Sequence, residues 1–353
     1  MPSDTGVYKT STTIPSADGL YYFLKPLTWK EKDKVAFDAG KTTIRANITL
    51  QPVTWDPSPV KVTGVGSSIA DAVSKAQQGT PYIYKFTSNQ NANDLKLSST
   101  NAGLYIIGVG AGSTITLNGD GNLFTVGGDK TNTLILQNAI LKGKTGGKAA
   151  AVFVRDGASF FMETGSGIDG FEANGSTYNN DNDNGGFGAA AIHIDGANFT
   201  MNGGTISNNK NKYNHDRAKL SAGAIYVEMG ASDVKLNGGS FSNNANDKGG
   251  TTDIYFTYTP KIKIGGAVSI GEICIGKSTA TPPVLGQITV DPTFSGSAKI
   301  NLSGEKANWN GKEIFKGGIT SGQTSLFTAG KYMTSGTAYT ATFGTDGKVT
   351  ITN

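Results

Sequence analysis

The run Phe199-Thr200-Met201-Asn202-Gly203-Gly204-Thr205-Ile206-Ser207-Asn208-Asn209 decides how this chain is read. Phe199 and Met201 flank Thr200, so the outer two side chains face one way and the middle one the other. A Gly-Gly pair then turns a corner, and Thr205-Ile206-Ser207 starts a second short strand ending in paired asparagines. The same order returns as Val234-Lys235-Leu236, Gly238-Gly239-Ser240-Phe241 and Asn243-Asn244. It returns again as Ile262-Lys263-Ile264 with Gly265-Gly266-Ala267-Val268, and earlier as Phe160-Phe161-Met162 with Gly165-Ser166-Gly167-Ile168. A further strand precedes each block: Ala151-Val152-Phe153-Val154, Ala191-Ile192-His193-Ile194, Ala224-Ile225-Tyr226-Val227 and Asp253-Ile254-Tyr255-Phe256. Residues 124–141 fit the same template.

The anchors Phe124, Val152, Ile192, Ile225 and Ile254 are 28, 40, 33 and 29 residues apart. The three-strand block hardly varies in length, and the variation falls after its third strand. That is the behaviour of a solenoid coil with insertions at one corner. Three short strands per repeat predict an all-β chain folded as a right-handed parallel β-helix. A propeller blade needs four longer strands, and the L-x-x-L-x-L spacing of a leucine-rich repeat is missing. Identical inward positions stack into ladders, and the asparagine turns at 208–209 and 243–244 are expected to stack as amide ladders.

Composition agrees. Glycine, at 49 of 353 residues, weakens helices but suits tight corners, and its lack of a three-residue period excludes collagen. The net charge of +4 comes from scattered lysines, with arginine only at 45, 155 and 217. No basic cluster is interleaved with aromatics, so no nucleic-acid partner is expected, while acidic glycans remain compatible. Cys274 lies in the apolar string Ile273-Cys274-Ile275 and reads as a small buried thiol. No apolar run reaches the length of a transmembrane span. Met1-Pro2-Ser3-Asp4 reads as the start of a mature chain from which an export signal or a lipid-bearing cysteine has been removed, which implies an extracellular or outer-surface location.

The flanks differ from the repeats. Residues 1–62 hold Trp29, Trp55 and six prolines, with the alternating run 43–50 reading as a strand, and are expected to form a small β module or strand-rich arm. Residues 63–282 form the expected β-helix, opened by a capping helix at 68–78 whose apolar face is Ile69, Ala72, Val73 and Ala76. Residues 283–353 keep short alternating strands without the Gly-Gly corner and read as degenerate final coils and a β cap.

Gly203-Gly204-Thr205-Ile206, Gly265-Gly266-Ala267-Val268, Phe171-Glu172-Ala173-Asn174 and Phe241-Ser242-Asn243-Asn244 resemble the GG-A/T-I and F-x-x-N repeats of polymorphic outer-membrane-type adhesins. The run 199–209 is similar to repeats in β-helix surface lipoproteins of spirochaetes, and the resemblance spans about residues 120–270. The stretch 39–50, ending at Trp55, resembles the tail of an internalin-type B repeat. This resemblance implies a surface-exposed, pectate-lyase-like β-helix concerned with adhesion more often than catalysis. A translocating barrel is not expected after the repeats.

Catalysis must be argued from a site, because β-helices also carry polysaccharide lyases and hydrolases. The sequence blocks expected of a pectin-type hydrolase, Asn-Thr-Asp, Gly-His-Gly and Arg-Ile-Lys, do not occur. A lyase needs clustered acids with an arginine or lysine base, for which Arg155, Asp156, Asp169 and Asp181 are the candidates. In the loop 178–188, Asp181 and Asp183 are candidate calcium ligands, and no other cofactor is expected. The loop lacks EF-hand spacing, so a solvated insertion is the alternative. The loop 210–219 leaves the same corner one coil later. Tyr178, Phe187 and Tyr213 are candidates to stack on sugar rings, with Asn180, Asp181, Asp183, His215 and Arg217 making polar contacts. Alternation turns His193 outward, as a surface histidine. Three functions fit: a non-enzymatic adhesin binding a host glycan or matrix protein, a polysaccharide lyase or glycoside hydrolase, and a structural spacer.

Overall fold

The computed structural model describes residues 68–79, 81–109, 113–174, 188–212, 221–228, 230 and 232–352. It also gives the strands Tyr21–Tyr22, Trp29–Glu31, Leu50–Pro52 and Val60–Lys61. The chain divides into two compact units, Met1–Val65 and Gly66–Asn353. In the first, Tyr21–Tyr22 pairs antiparallel with Val60–Lys61, and Trp29–Glu31 with Leu50–Pro52. Most of the expected strand at 43–50 lies outside the described residues.

The second unit is a parallel β-helix. From Tyr82 to Phe256 each coil contributes one strand to each of three faces, every coil pairing in parallel with the next; in the later coils a single strand serves two of the faces. Face A runs Leu95–Leu97, Phe124–Val126, Val152–Arg155, Ile192–Asp195, Ile225–Val227 and Ile254–Phe256, in register throughout. It continues through Ile273, Ile300 and Ala329. Face B stacks eight strands from Tyr82–Phe86 to Ile288–Val290. Face C runs from Gln90–Ala92 to Ser240–Ser242 and passes into the long strand Ser269–Ile275.

Register turns sequence alternation into a core. On face B the inward row is Leu104, Leu134, Phe160, Phe199, Val234, Ile262 and Ile288, all buried. The Phe160 and Phe199 rings stack with centroids 5.5 Å apart. Such offset pairs add to the burial of each ring, and truncating a buried phenylalanine in a close-packed stack costs about 3–5 kcal/mol. The B-to-C corner depends on glycine. Gly239 sits at φ 94°, and a Cβ there would lie 2.7 Å from the Gly204 carbonyl oxygen of the coil below.

One corner departs from the sequence reading. Ser240 pairs with Ser269, so Ile270, not Val268, takes the inward place of Phe241. The Gly265-Gly266 turn is followed by two extra residues before the strand begins. After Gly271-Glu272 the same strand continues as Ile273-Cys274-Ile275, back on face A, so here the C-to-A corner is reduced to a bulge.

Both ends of the core are covered. The helix Ile69–Ala76 starts at Ser68, whose hydroxyl accepts from the Asp71 N–H at 3.2 Å, and buries Ile69, Ala72, Val73 and Ala76 against the first strands. At the other end, Phe327–Tyr332 adds the last parallel strand and the hairpin Ala341–Phe343/Val349–Ile351 folds over it. Phe294, Phe315, Phe327 and Phe343 meet there, with centroids 4.3–6.3 Å apart. A solenoid needs such plugs because its terminal coils otherwise expose the core and unpaired strand edges.

Candidate functional site

The C-to-A corner carries the longest insertions between described strands. The connection spans residues 143–151, then 170–191, 208–224 and 243–253, before shrinking to the bulge. The two long insertions are anchored side by side. Glu172–Ala173, Lys210–Asn211 and Ala245–Asn246 form a fourth, short parallel sheet at their exits. The Lys212 N–H donates to the Ala173 carbonyl at 2.9 Å where they leave, and the Ala222 N–H donates to the Gly188 carbonyl at 3.0 Å where they return. Lys212 pairs with Glu172 at 2.7 Å and Lys210 with Asp247 at 3.1 Å.

Buried asparagines hold this corner. Asn209 Nδ2 donates to the Ile168 carbonyl and to Asn244 Oδ1 at 3.1 and 3.0 Å. Asn244 Nδ2 in turn donates to the Ile206 carbonyl at 2.9 Å and to Asp253 Oδ1 at 3.0 Å. The preceding Asn208 and Asn243 adopt φ 57° and 54°, left-handed conformations that asparagine tolerates. The expected amide ladder is therefore present at Asn209 and Asn244. Asp253 also accepts from the Gly271 and Glu272 N–H groups, at 2.7 and 3.1 Å, and burial pushes its carboxyl pKa up.

The outward side of face A carries a row that alternation alone assigns to solvent. Phe153, His193, Tyr226, Tyr255 and Cys274 occupy successive coils in register, and each is buried. Ring centroids along the row are 4.9, 5.2 and 5.7 Å apart from Phe153 to Tyr255. Gly188 lies against the Tyr226 ring so closely that a Cβ would come within 2.1 Å of it. His193 is thus not the surface histidine the sequence suggests. It is 5% exposed, and its Nε2 lies 3.0 Å from Glu228 Oε2. Returning corner segments such as Ala189 and Ala222 cover the outward row, which strand alternation does not reveal.

Charged residues flank this row. Arg155 pairs in register with Asp195, and the Glu228 N–H donates to the Ile194 carbonyl, placing Glu228 one coil beyond Asp195. The His193 hydrogen bond holds the Glu228 carboxyl pKa down, whereas burial and then the Glu228 charge raise that of Asp195. Sequence reasoning missed Asp195 and Glu228, although the aligned strands ending at Ile194 and Val227 place the two residues at equivalent positions of successive coils.

Arg155 and Asp156 are adjacent, with Arg155 Nε 3.4 Å from Asp156 Oδ2, and the guanidinium lies 5.6 Å from the Phe153 ring centroid. Asp156 Oδ2 also accepts from the Gly128 N–H at 2.9 Å. Asp169 lies on face C, not beside them. Its Oδ1 accepts from Ser207 Oγ at 2.9 Å and Asn208 Nδ2 at 2.7 Å. Tyr178, Asn180, Asp181, Asp183, Phe187, Tyr213, His215 and Arg217 lie outside the described residues, and with them the candidate calcium ligands. Among the described residues no three His, Cys, Asp or Glu side chains converge as a metal set, and no helix is long and apolar enough to cross a membrane. Searches against family models, curated proteins and solved structures returned no match to this chain.

Proposed function

We propose that this chain is a non-enzymatic, secreted or surface-exposed binding protein that presents a ligand face from the C-to-A corner of its β-helix. One observation carries the reading: two long insertions leave and re-enter adjacent coils with hydrogen-bonded ends, while the rest of each coil is held to a fixed register. A rigid scaffold that varies at one corner is the arrangement binding proteins use to display recognition loops. The loop sequences supply aromatic rings and amide, acidic and basic groups suited to a glycan or a matrix protein. The adhesin-like repeats favour the same function, and lipid anchoring of the precursor belongs to the same proposal.

A second reading has its own support. Asp195 and Glu228 project from neighbouring coils, one strand spacing of about 4.8 Å apart along the stack, and their pKa values are pushed in opposite directions. Separated carboxyl pKa values accompany acid and nucleophile roles in glycoside cleavage. Asp156 and Asp169, by contrast, are engaged in corner hydrogen bonds.

Replacing 175–187 and 213–220 by short glycine-serine linkers tests the binding proposal on glycan and matrix-protein arrays. Loss of a ligand with unchanged thermal stability supports it, and retained binding by the doubly shortened chain refutes the face assignment. New reducing ends or unsaturated products on acidic polysaccharides, abolished by Glu228→Gln, would establish the enzymatic reading instead.

A further inference from the structure

Two Asn-Gly-Gly sequences occupy the same B-to-C corner in consecutive coils, at 202–204 and 237–239, yet their side chains are held differently. Asn202 is clamped at both ends of its amide. Its Nδ2 donates to Glu163 Oε1 at 2.9 Å, and its Oδ1 accepts from Asn237 Nδ2 at 2.9 Å. Asn237 is exposed, and among the described residues that one donation is its only side-chain hydrogen bond. A glycine after asparagine removes the Cβ that otherwise hinders attack by the following backbone nitrogen.

We infer that Asn237 is a site of spontaneous deamidation, and that its conversion unlocks Asn202 for a second event one coil down the ladder. The Gly238 nitrogen, after losing its proton, attacks Asn237 Cγ. The Cγ–Nδ2 bond breaks and ammonia leaves, giving a five-membered succinimide. Water then opens that ring at either carbonyl, leaving aspartate or isoaspartate, so the net change is gain of water and loss of ammonia. No other reactant is needed.

The resulting carboxylate has no N–H for Asn202 Oδ1, and it sets negative charge against an acceptor oxygen. Asn202 is then held only by its bond to Glu163 and can turn its Cγ toward the Gly203 nitrogen. Conversion there would place a second carboxylate beside the buried Glu163. The Asn310-Gly311 pair is the contrasting case. The Gly311 N–H donates to the Val349 carbonyl at 2.8 Å, and Asn310 Oδ1 accepts from the Ile351 N–H at 2.8 Å, so attacking and attacked groups are both restrained.

The test follows both sites by peptide mapping with fragmentation mass spectrometry, in the folded chain and in the urea-unfolded chain, at mildly alkaline pH. In urea the two sites share one local sequence and should convert at similar rates. In the folded chain the ratio of Asn237 to Asn202 conversion should rise roughly tenfold, the effect of holding one partner through a charge-assisted hydrogen bond. Molecules converted at 202 should also be converted at 237. In Asn237→Gln, which closes the ring far more slowly, conversion at Asn202 should nearly vanish. In Asn237→Asp it should quicken. A folded-chain ratio equal to that in urea, abundant molecules converted at 202 alone, or equal Asn202 conversion in the two variants would overturn the inference.

Discussion

Substituting Asn244→Ala should destabilise the corner by an amount that can be worked from its hydrogen bonds. Asn244 is 6% exposed and accepts from the Asn209 N–H at 3.1 Å and from Asn209 Nδ2 at 3.0 Å. It donates to the Ile206 carbonyl and to Asp253. Alanine leaves two Asn209 donors and one carbonyl lone pair without that partner in a buried site. Asp253 keeps its two backbone donors and loses less. At about 1 kcal/mol for each donor and somewhat less for the carbonyl, the cost is about 2–3 kcal/mol. The assay is urea unfolding, read as a lower midpoint at constant slope, with hydrogen exchange at the Asn209 and Phe171 amides as a local check. Phe171 belongs in the check because its N–H donates to Asn209 Oδ1 at 3.0 Å. The control is Asn243→Gly, which should stay within about 0.5 kcal/mol because φ 54° suits glycine. A cost below about 1 kcal/mol for Asn244→Ala, or equal effects of the two changes, would show that the ladder does not hold the corner.

Other outcomes are as direct. Gly239→Ala should cost well over about 1 kcal/mol, since it adds a Cβ clash to the positive-φ penalty; Gly196→Ala, at φ 57° with nothing within 4 Å of its Cβ, should cost only the latter. Burial raises the Glu163 carboxyl pKa, so the folded chain binds a proton more readily there than the unfolded chain does. Its contribution to stability is therefore complete below the ordinary glutamate pKa and is lost as pH rises through the raised value. Denaturation midpoints measured across that interval should fall with pH in the wild type and flatten in Glu163→Gln. Burial pushes the Cys274 thiol well above its ordinary pKa, so it should resist an aromatic disulfide reagent until the chain is unfolded.

Much of the fold was legible because the repeat fixes which residues face inward. Phe199-Thr200-Met201 and Val234-Lys235-Leu236 needed only alternation, and the Gly-Gly pairs marked the corner between them. At Gly265-Gly266 two extra residues shift the strand, so Ile270 takes the register of Phe241 while Val268 is buried in the turn before it. His193 marks a different limit. Alternation gives the side of the sheet but not what lies above it, so it turns His193 outward correctly without showing that the residue is buried. The candidate site was less legible: the repeat aligns Ile194 with Val227 and so sets Asp195 beside Glu228, but a carboxylate just past a strand end carries no sequence signal of its burial or of the His193 contact.

The parallel stacking also gives the β-helix a directional response to force. Its interstrand hydrogen bonds lie along the stacking direction, so tension between the two ends loads the ladders of one coil junction at a time rather than shearing many together. Detaching a coil of 33 residues, the spacing from Ile192 to Ile225, frees roughly 110 Å of chain at about 3.4 Å per residue. A pulling record should therefore be a train of low, repeated rips, with the longest extension from the coil carrying residues 170–191. Under load the stack would act as an extensible tether that yields in steps, and each surviving coil would still hold its own corner in register.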